Sequence, residues 1–142
     1  IGCGVPLAAV LASEECCCFE YGNQGGTYNG NPLMSAVGIR VFETITAPGF
    51  LDEVRAREVQ LRAGLSEISQ KHGLGGVRGK GLLYALELPA GNAVQFCEQA
   101  FANGLLINPA RPDTLRFMPS LRVASEEIRD MLEILDSLCA AR

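Results

Sequence analysis

The sequence predicts a mixed α/β fold, and three observations carry that prediction. Beyond Gly73, short apolar runs of strand length alternate with segments of helical period. Ahead of Gly73 lies a long amphipathic segment, residues 50–71, with Leu51, Val54, Leu61, Leu65 and Ile68 on one stripe. Hydrophobic residues make up 48% of the 142 and charged ones 20%, enough for a sizeable core and too apolar for wholesale disorder.

In order along the chain, residues 6–11 read as a short buried strand, and Ser13 as the cap of a brief helix through Cys18. Residues 19–30 read as loop. Asn31 is a good N-cap and Pro32 suits the first helical position, where no backbone N–H is needed. The helix they open is expected to reach about Ala47, where Pro48-Gly49 breaks it. Gly73 ends the long helix, and the sole histidine, His72, falls in its last turn, which suits a capping or surface role. Gly76-Val77-Arg78-Gly79 leads into a strand over residues 82–88, and residues 93–103 form a helix stopped by Gly104. Residues 105–108 and 114–117 read as two strands joined by the turn Pro109-Ala110-Arg111-Pro112-Asp113. Ser125 opens the last helix, with Glu126 and Glu127 favourably placed near its positive end, and that helix runs to about Ala140.

Charge and composition exclude several functions. A net charge of −4 weighs against nucleic acid, which favours a basic face. No apolar run reaches membrane-spanning length, and the first residues lack the charged start of a signal peptide, so a soluble, cytoplasmic protein is expected. The six cysteines are Cys3, Cys16, Cys17, Cys18, Cys97 and Cys139. Three in a row cannot easily converge on one tetrahedral zinc, and no C-x-x-C pair or histidine partner supports a site, so no metal is expected. Free and mostly buried thiols are.

Candidate chemistry concentrates in Gln24-Gly25-Gly26-Thr27-Tyr28-Asn29-Gly30-Asn31-Pro32. Glycines let the backbone approach an anion closely, and Thr27 adds a hydroxyl donor. The loop ends at a helix N-terminus, where the dipole favours bound anions. A glycine-rich connector before a capped helix fits the same residues. Arg78-Gly79-Lys80-Gly81 hints at a nucleotide loop, but Leu74 stands where the first P-loop glycine belongs and Gly81 replaces the Ser/Thr. Turn and strand-start roles suit Arg78 and Lys80 better. Arg116 offers a planar fork suited to a carboxylate, or a surface ion pair at a strand end.

The run from Gly25 to Pro32 resembles the Gly-Ser/Thr-Thr-Phe/Tyr-x-Gly-Asn-Pro segment of the class III (ornithine/acetylornithine type) aminotransferases, which use pyridoxal 5'-phosphate. Ile1-Gly2-Cys3-Gly4-Val5-Pro6-Leu7-Ala8-Ala9 is similar to the stretch that follows their Schiff-base lysine. Arg78-Gly79-Lys80-Gly81-Leu82-Leu83 and Leu115-Arg116-Phe117-Met118-Pro119-Ser120-Leu121 match two further segments in order. The resemblance covers essentially the whole chain and is strongest to the acetylornithine branch. It implies the C-terminal part of a fold-type I transferase. Residues 1–47 would be a remnant of the large cofactor-binding domain, 48–72 a linking helix and 73–142 the small C-terminal α/β domain.

The resemblance also implies roles. Thr27 would reach the cofactor phosphate of the neighbouring subunit in a homodimer with a shared active site. Gly26 stands beside it where relatives often carry serine, and its backbone would contribute to cofactor binding. Arg116 would bind a substrate carboxylate or pair with a glutamate outside this chain. The Schiff-base lysine would lie two residues before Ile1, and Lys71 and Lys80 stand in other contexts, so a fragment inactive by itself is expected. Cys3 departs from the family's usual glycine. The implied reaction transfers an amino group from N-acetylornithine or a similar ω-amine to 2-oxoglutarate, in arginine biosynthesis. Ornithine, 4-aminobutyrate and succinyl-diaminopimelate are alternative donors. A non-catalytic binding or dimerisation module of the same fold is the second reading, and a phosphate-binding regulatory domain a weaker third.

Overall fold

The computed structural model describes residues 1–89 and 91–141; Ala90 and Arg142, inside the expected small domain, lie outside the described residues. The chain divides into two units, Ile1–Leu51 and Asp52–Arg142.

The first unit contains one α-helix, α1 (Pro32–Ile45), preceded by turns and a single 3-10 turn, Glu14–Cys16. Asn31 caps α1 as expected: its Oδ1 accepts from the N–H groups of Leu33 (3.1 Å) and Met34 (3.3 Å). Those bonds satisfy two of the four donors that a helix start leaves orphaned. Gly38 is the buried residue of α1, and Leu7 packs where its side chain would stand. Residues 6–11 form no strand. A strand needs a neighbour for its backbone groups, and no described segment pairs with this one; Val10 and Leu11 are almost fully exposed. Ser13 does not cap the 3-10 turn through its side chain; its hydroxyl meets the Cys16 sulfur instead.

Cys3 adopts φ +43°, the one left-handed non-glycine residue among those described, and Gly4 follows at +101°. A Cβ in that region costs roughly 1 kcal/mol, which explains why glycine suits this turn better.

All but the first two residues of α2 (Phe50–His72) belong to the second unit, where the helix buries Val54, Leu61, Leu65 and Ile68; Leu51, at the stripe's far end, stays exposed. The helix stops at Gly73, which takes φ +61°, and the Leu74 N–H donates to the Ser69 carbonyl at 2.9 Å. That is the Schellman closure a C-terminal glycine permits. Four antiparallel strands follow: β1 (Val77–Lys80), β2 (Leu83–Glu87), β3 (Asn108–Arg111) and β4 (Thr114–Phe117), in spatial order β1-β2-β4-β3. Two helices, α3 (Ala93–Ala102) and α4 (Ser125–Ala140), complete the unit.

Alternation along the central strands sorts the sheet's two faces. Tyr84 opposes Phe117 and Leu86 opposes Leu115; all four are buried. With Leu61 and Leu65 of α2, Phe96 and Ala100 of α3, and Ile128 and Leu135 of α4, they make the core. The opposite face carries Arg78, Ala85, Arg116 and Asn108 in one row across all four strands.

Two strand boundaries differ from expectation. Residues 77–80 form a strand of their own, turned back through Gly81 (φ +62°) into β2. The third strand starts at Asn108 and runs through Pro109 to Arg111, with an irregular register at Ala110. Proline is tolerated there because β3 is an edge strand with no outward ladder bond to lose.

α2 and α4 are tied by polar contacts as well as by packing. Gln60 Nε2 donates to the Ser125 carbonyl (2.9 Å) while the Ser125 hydroxyl donates to Gln60 Oε1 (3.0 Å). Glu58 reaches the sheet, accepting from the Gly81 N–H (2.8 Å) and the Tyr84 hydroxyl (3.3 Å). Burial first and the Glu58 carboxylate second push the Tyr84 phenol above its ordinary range.

Candidate functional site

Thr27 and Gly26 occupy one tight loop of the first unit. The Asn29 N–H donates to the Gly26 carbonyl (3.1 Å), and the Asn31 N–H donates to the Tyr28 carbonyl (3.2 Å). Gly30, between them, takes φ +71°. These turns present Thr27 to solvent, and its backbone N–H and that of Tyr28 donate to no carbonyl among the described residues. No residue of the segment from Gln24 to Asn31 is acidic. A hydroxyl and neighbouring N–H groups, in a segment that carries no carboxylate, make a donor set that fits a phosphate.

Gly26 has a steric role in this loop. A Cβ built there would stand 2.9 Å from Asn29 Oδ1, so glycine lets the Asn29 carboxamide fold back over the turn. A serine would have to displace that carboxamide, a flexible group, before offering its own hydroxyl.

Arg116 lies in the second unit, half-buried on β4. It lines an open groove of about 760 Å³ whose wall includes Leu61, Ile107, Met118, Val123 and Met131. The charged groups along the groove are Arg116, Arg122 and Glu127. Glu127 is engaged, accepting from the Ala124 N–H at 2.7 Å as half of a capping box. Arg116 makes no ion pair among the described residues. Its Nε donates to Asn108 Oδ1 at 3.4 Å. Arg78, two strands away in the same row, is instead committed to the Glu87 carboxylate.

The whole of this architecture, loop and sheet alike, falls within one family match: residues 1–139 fit the class III aminotransferases. The chain belongs to that family. It is 54% identical over 144 residues to acetylornithine aminotransferase 2 of Bordetella parapertussis, covering 99% of this chain and 36% of that protein. It is 42% identical over 137 residues to the acetylornithine aminotransferase of Synechocystis, covering 93% of this chain and 32% of that one. The crystal structure of N-acetylornithine aminotransferase from Stenotrophomonas maltophilia superposes with a TM-score of 0.73 at 34% identity, over 79% of this chain and 32% of that chain. This class III chain thus spans about a third of the length of the relatives it matches.

Three features of this aminotransferase chain escaped the sequence. In sequence Asn108 looks like no more than the end of a strand, because its partner is set by the β3–β4 register. The groove itself depends on how α4 and the segment after β4 pack together. His72 is more than a cap: its Nε2 lies 2.7 Å from Asp136 Oδ1, with its side chain nearly buried. The cysteines also differ from expectation. Cys97 and Cys139 are buried, but Cys3, Cys16, Cys17 and Cys18 are exposed. They sit in loop and turn, which bury little in a segment with one helix. Among the described residues, no cluster of metal-binding side chains exists.

Proposed function

We propose that the protein containing this chain is a pyridoxal-phosphate-dependent aminotransferase that moves an amino group from N-acetylornithine to 2-oxoglutarate, in arginine biosynthesis. The observation that carries this reading is the extended likeness to relatives named acetylornithine aminotransferase, which runs through both the Thr27 loop and the Arg116 strand.

When bound, the cofactor supplies an electron sink for the carbon that exchanges its amino group. The chain's own residues bind and orient. The Thr27 hydroxyl and the N–H groups of its loop donate to the cofactor phosphate, and Gly25 and Gly26 let the backbone come close. Asn31 already occupies the Leu33 and Met34 N–H groups, so the loop rather than the helix end supplies the direct donors. Arg116 grips a substrate carboxylate through its terminal nitrogens.

The chain's two lysines do other work. Lys71 is paired with Asp136 at 2.7 Å, and Lys80 ends β1 at the turn into β2. In this reading neither of them is the cofactor's Schiff-base lysine, and catalysis belongs to the protein that contains this chain. In this reading residues 1–47 belong to the large domain, 48–72 link, and 73–142 form the small one. The protein is a cytoplasmic homodimer in which Thr27 serves the neighbouring subunit's cofactor. No described helix is long and apolar enough to cross a membrane.

The test is glutamate formation by the full-length protein from N-acetylornithine and 2-oxoglutarate with added cofactor. Turnover with N-acetylornithine well above that with ornithine, 4-aminobutyrate or succinyl-diaminopimelate is expected. Higher turnover with one of those donors would replace the substrate assignment. No glutamate from any of them would favour the non-catalytic module.

A further inference from the structure

We propose that Asn108 is a positioning residue for Arg116: its carboxamide turns the guanidinium so that the two terminal nitrogens face a substrate carboxylate end-on. This deepens the reading of Arg116 as a carboxylate clamp and rests on it.

Register comes first. Asn108 on β3 stands directly opposite Arg116 on β4, so the two side chains leave the same face of the sheet as cross-strand neighbours. Oδ1 of Asn108 lies 3.4 Å from Arg116 Nε and accepts a hydrogen bond from it. A guanidinium can fork a carboxylate either through Nε and one terminal nitrogen or through both terminal nitrogens. With Nε engaged by Asn108, the second fork is the one left open.

The chemistry of the partner matters as much as its position. A carboxamide is neutral, so it fixes the orientation without neutralising the charge that draws an anion. The contrast lies in the same row of the sheet, where Arg78 faces the Glu87 carboxylate and its charge is consumed locally. On its other flank Arg116 opposes Ala85, whose methyl group offers no competing acceptor. Pro109 follows Asn108 directly, and its fixed φ stiffens the edge strand that presents the carboxamide.

The experiment uses the full-length enzyme with two amino donors, N2-acetyl-L-ornithine and N-acetylputrescine, which carry the same terminal amine but differ in the carboxylate. Asn108→Ala should raise KM for acetylornithine about 5- to 10-fold, the scale of one lost orienting bond, while kcat changes less than about 2-fold. KM for acetylputrescine should not move. Asn108→Asp, close to isosteric, should raise KM for acetylornithine further, because its charge competes for the guanidinium. It carries the test if the alanine variant folds poorly. In the Arg116→Lys background, Asn108→Ala should add nothing.

Equal losses on both donors would mean a structural role and overturn the proposal. Unchanged KM in the Asn108 variants, with Arg116→Lys clearly impaired, would overturn it while leaving the clamp in place. Unchanged KM in Arg116→Lys itself would remove both.

Discussion

His72 closes α2 against Asp136 of α4, with Nε2 and Oδ1 2.7 Å apart, and the neighbouring Lys71 holds the other oxygen of that carboxylate at 2.7 Å. The bond from Lys71 and then that from His72 hold the Asp136 carboxyl below the ordinary carboxylate range. A depressed folded-state pKa contributes stability above the unfolded pKa, and that contribution is lost as pH falls through the folded value. Asp136→Asn should therefore lower the Tm of the chain by a few degrees at neutral pH, a modest effect because Lys71 and Asp136 are both partly exposed. The gap between the two proteins should close progressively below about pH 4. A gap of the same size at pH 7 and in strong acid would refute the linkage.

Gly79 of β1 pairs with Tyr84 of β2 and leaves no room for a side chain. A Cβ there would collide with the Leu83 carbonyl and stand 2.8 Å from the Tyr84 Cα, both of them backbone, so no side chain can swing aside. Gly79→Ala should destabilise the chain by about 2–4 kcal/mol, the scale of a clash that forces a backbone shift. In a thermal melt that is a fall of roughly 10 °C or more for a unit of this size. A melt within a degree of wild type would mean that the hairpin opens there at no cost.

What the sequence made legible was local, and what it hid was pairing. The Asn31 cap and the Gly73 stop depend on residues within a few positions of each other, and both formed as read. The buried stripe of α2 followed from period alone. Residues 6–11 have strand composition, but a strand is made by its neighbour, and no described segment pairs with them. Polar β1 and proline-bearing β3 are the reverse case: poor strand formers that the apolar central strands β2 and β4 recruit as edges. The site divides the same way. The turns around Thr27 join residues within a few positions of each other, whereas the bond from Arg116 to Asn108 needed the register of two strands.

Thr27→Val keeps the shape of the side chain and removes its only donor. On the proposed reading, in which Thr27 donates to the cofactor phosphate, this should weaken cofactor affinity by roughly 10- to 100-fold, as expected for one bond to a charged acceptor. Turnover at saturating cofactor should fall far less, since the role proposed for Thr27 is binding and not proton transfer. Titration of the apoenzyme with pyridoxal 5'-phosphate measures the first quantity, and steady-state rates the second. Wild-type affinity would place the phosphate elsewhere.

The thiols provide a reading of unit stability that needs no cofactor. Cys3, Cys16, Cys17 and Cys18 are exposed, whereas Cys97 packs on the inner side of α3 and Cys139 on that of α4. Burial also pushes the Cys97 thiol above its ordinary pKa, which lowers the fraction of reactive thiolate at any working pH. Alkylation with iodoacetamide at pH 8, followed by peptide mass mapping, should therefore label the four exposed sites promptly. Cys97 and Cys139 should lag by at least about 100-fold, because the reagent reaches them only when the second unit opens. Gly79→Ala should speed these two and leave the exposed four unchanged, since the substitution acts through the unit that buries them. If Cys97 reacted as fast as Cys16 in the native chain, α3 would not be seated on the sheet as described.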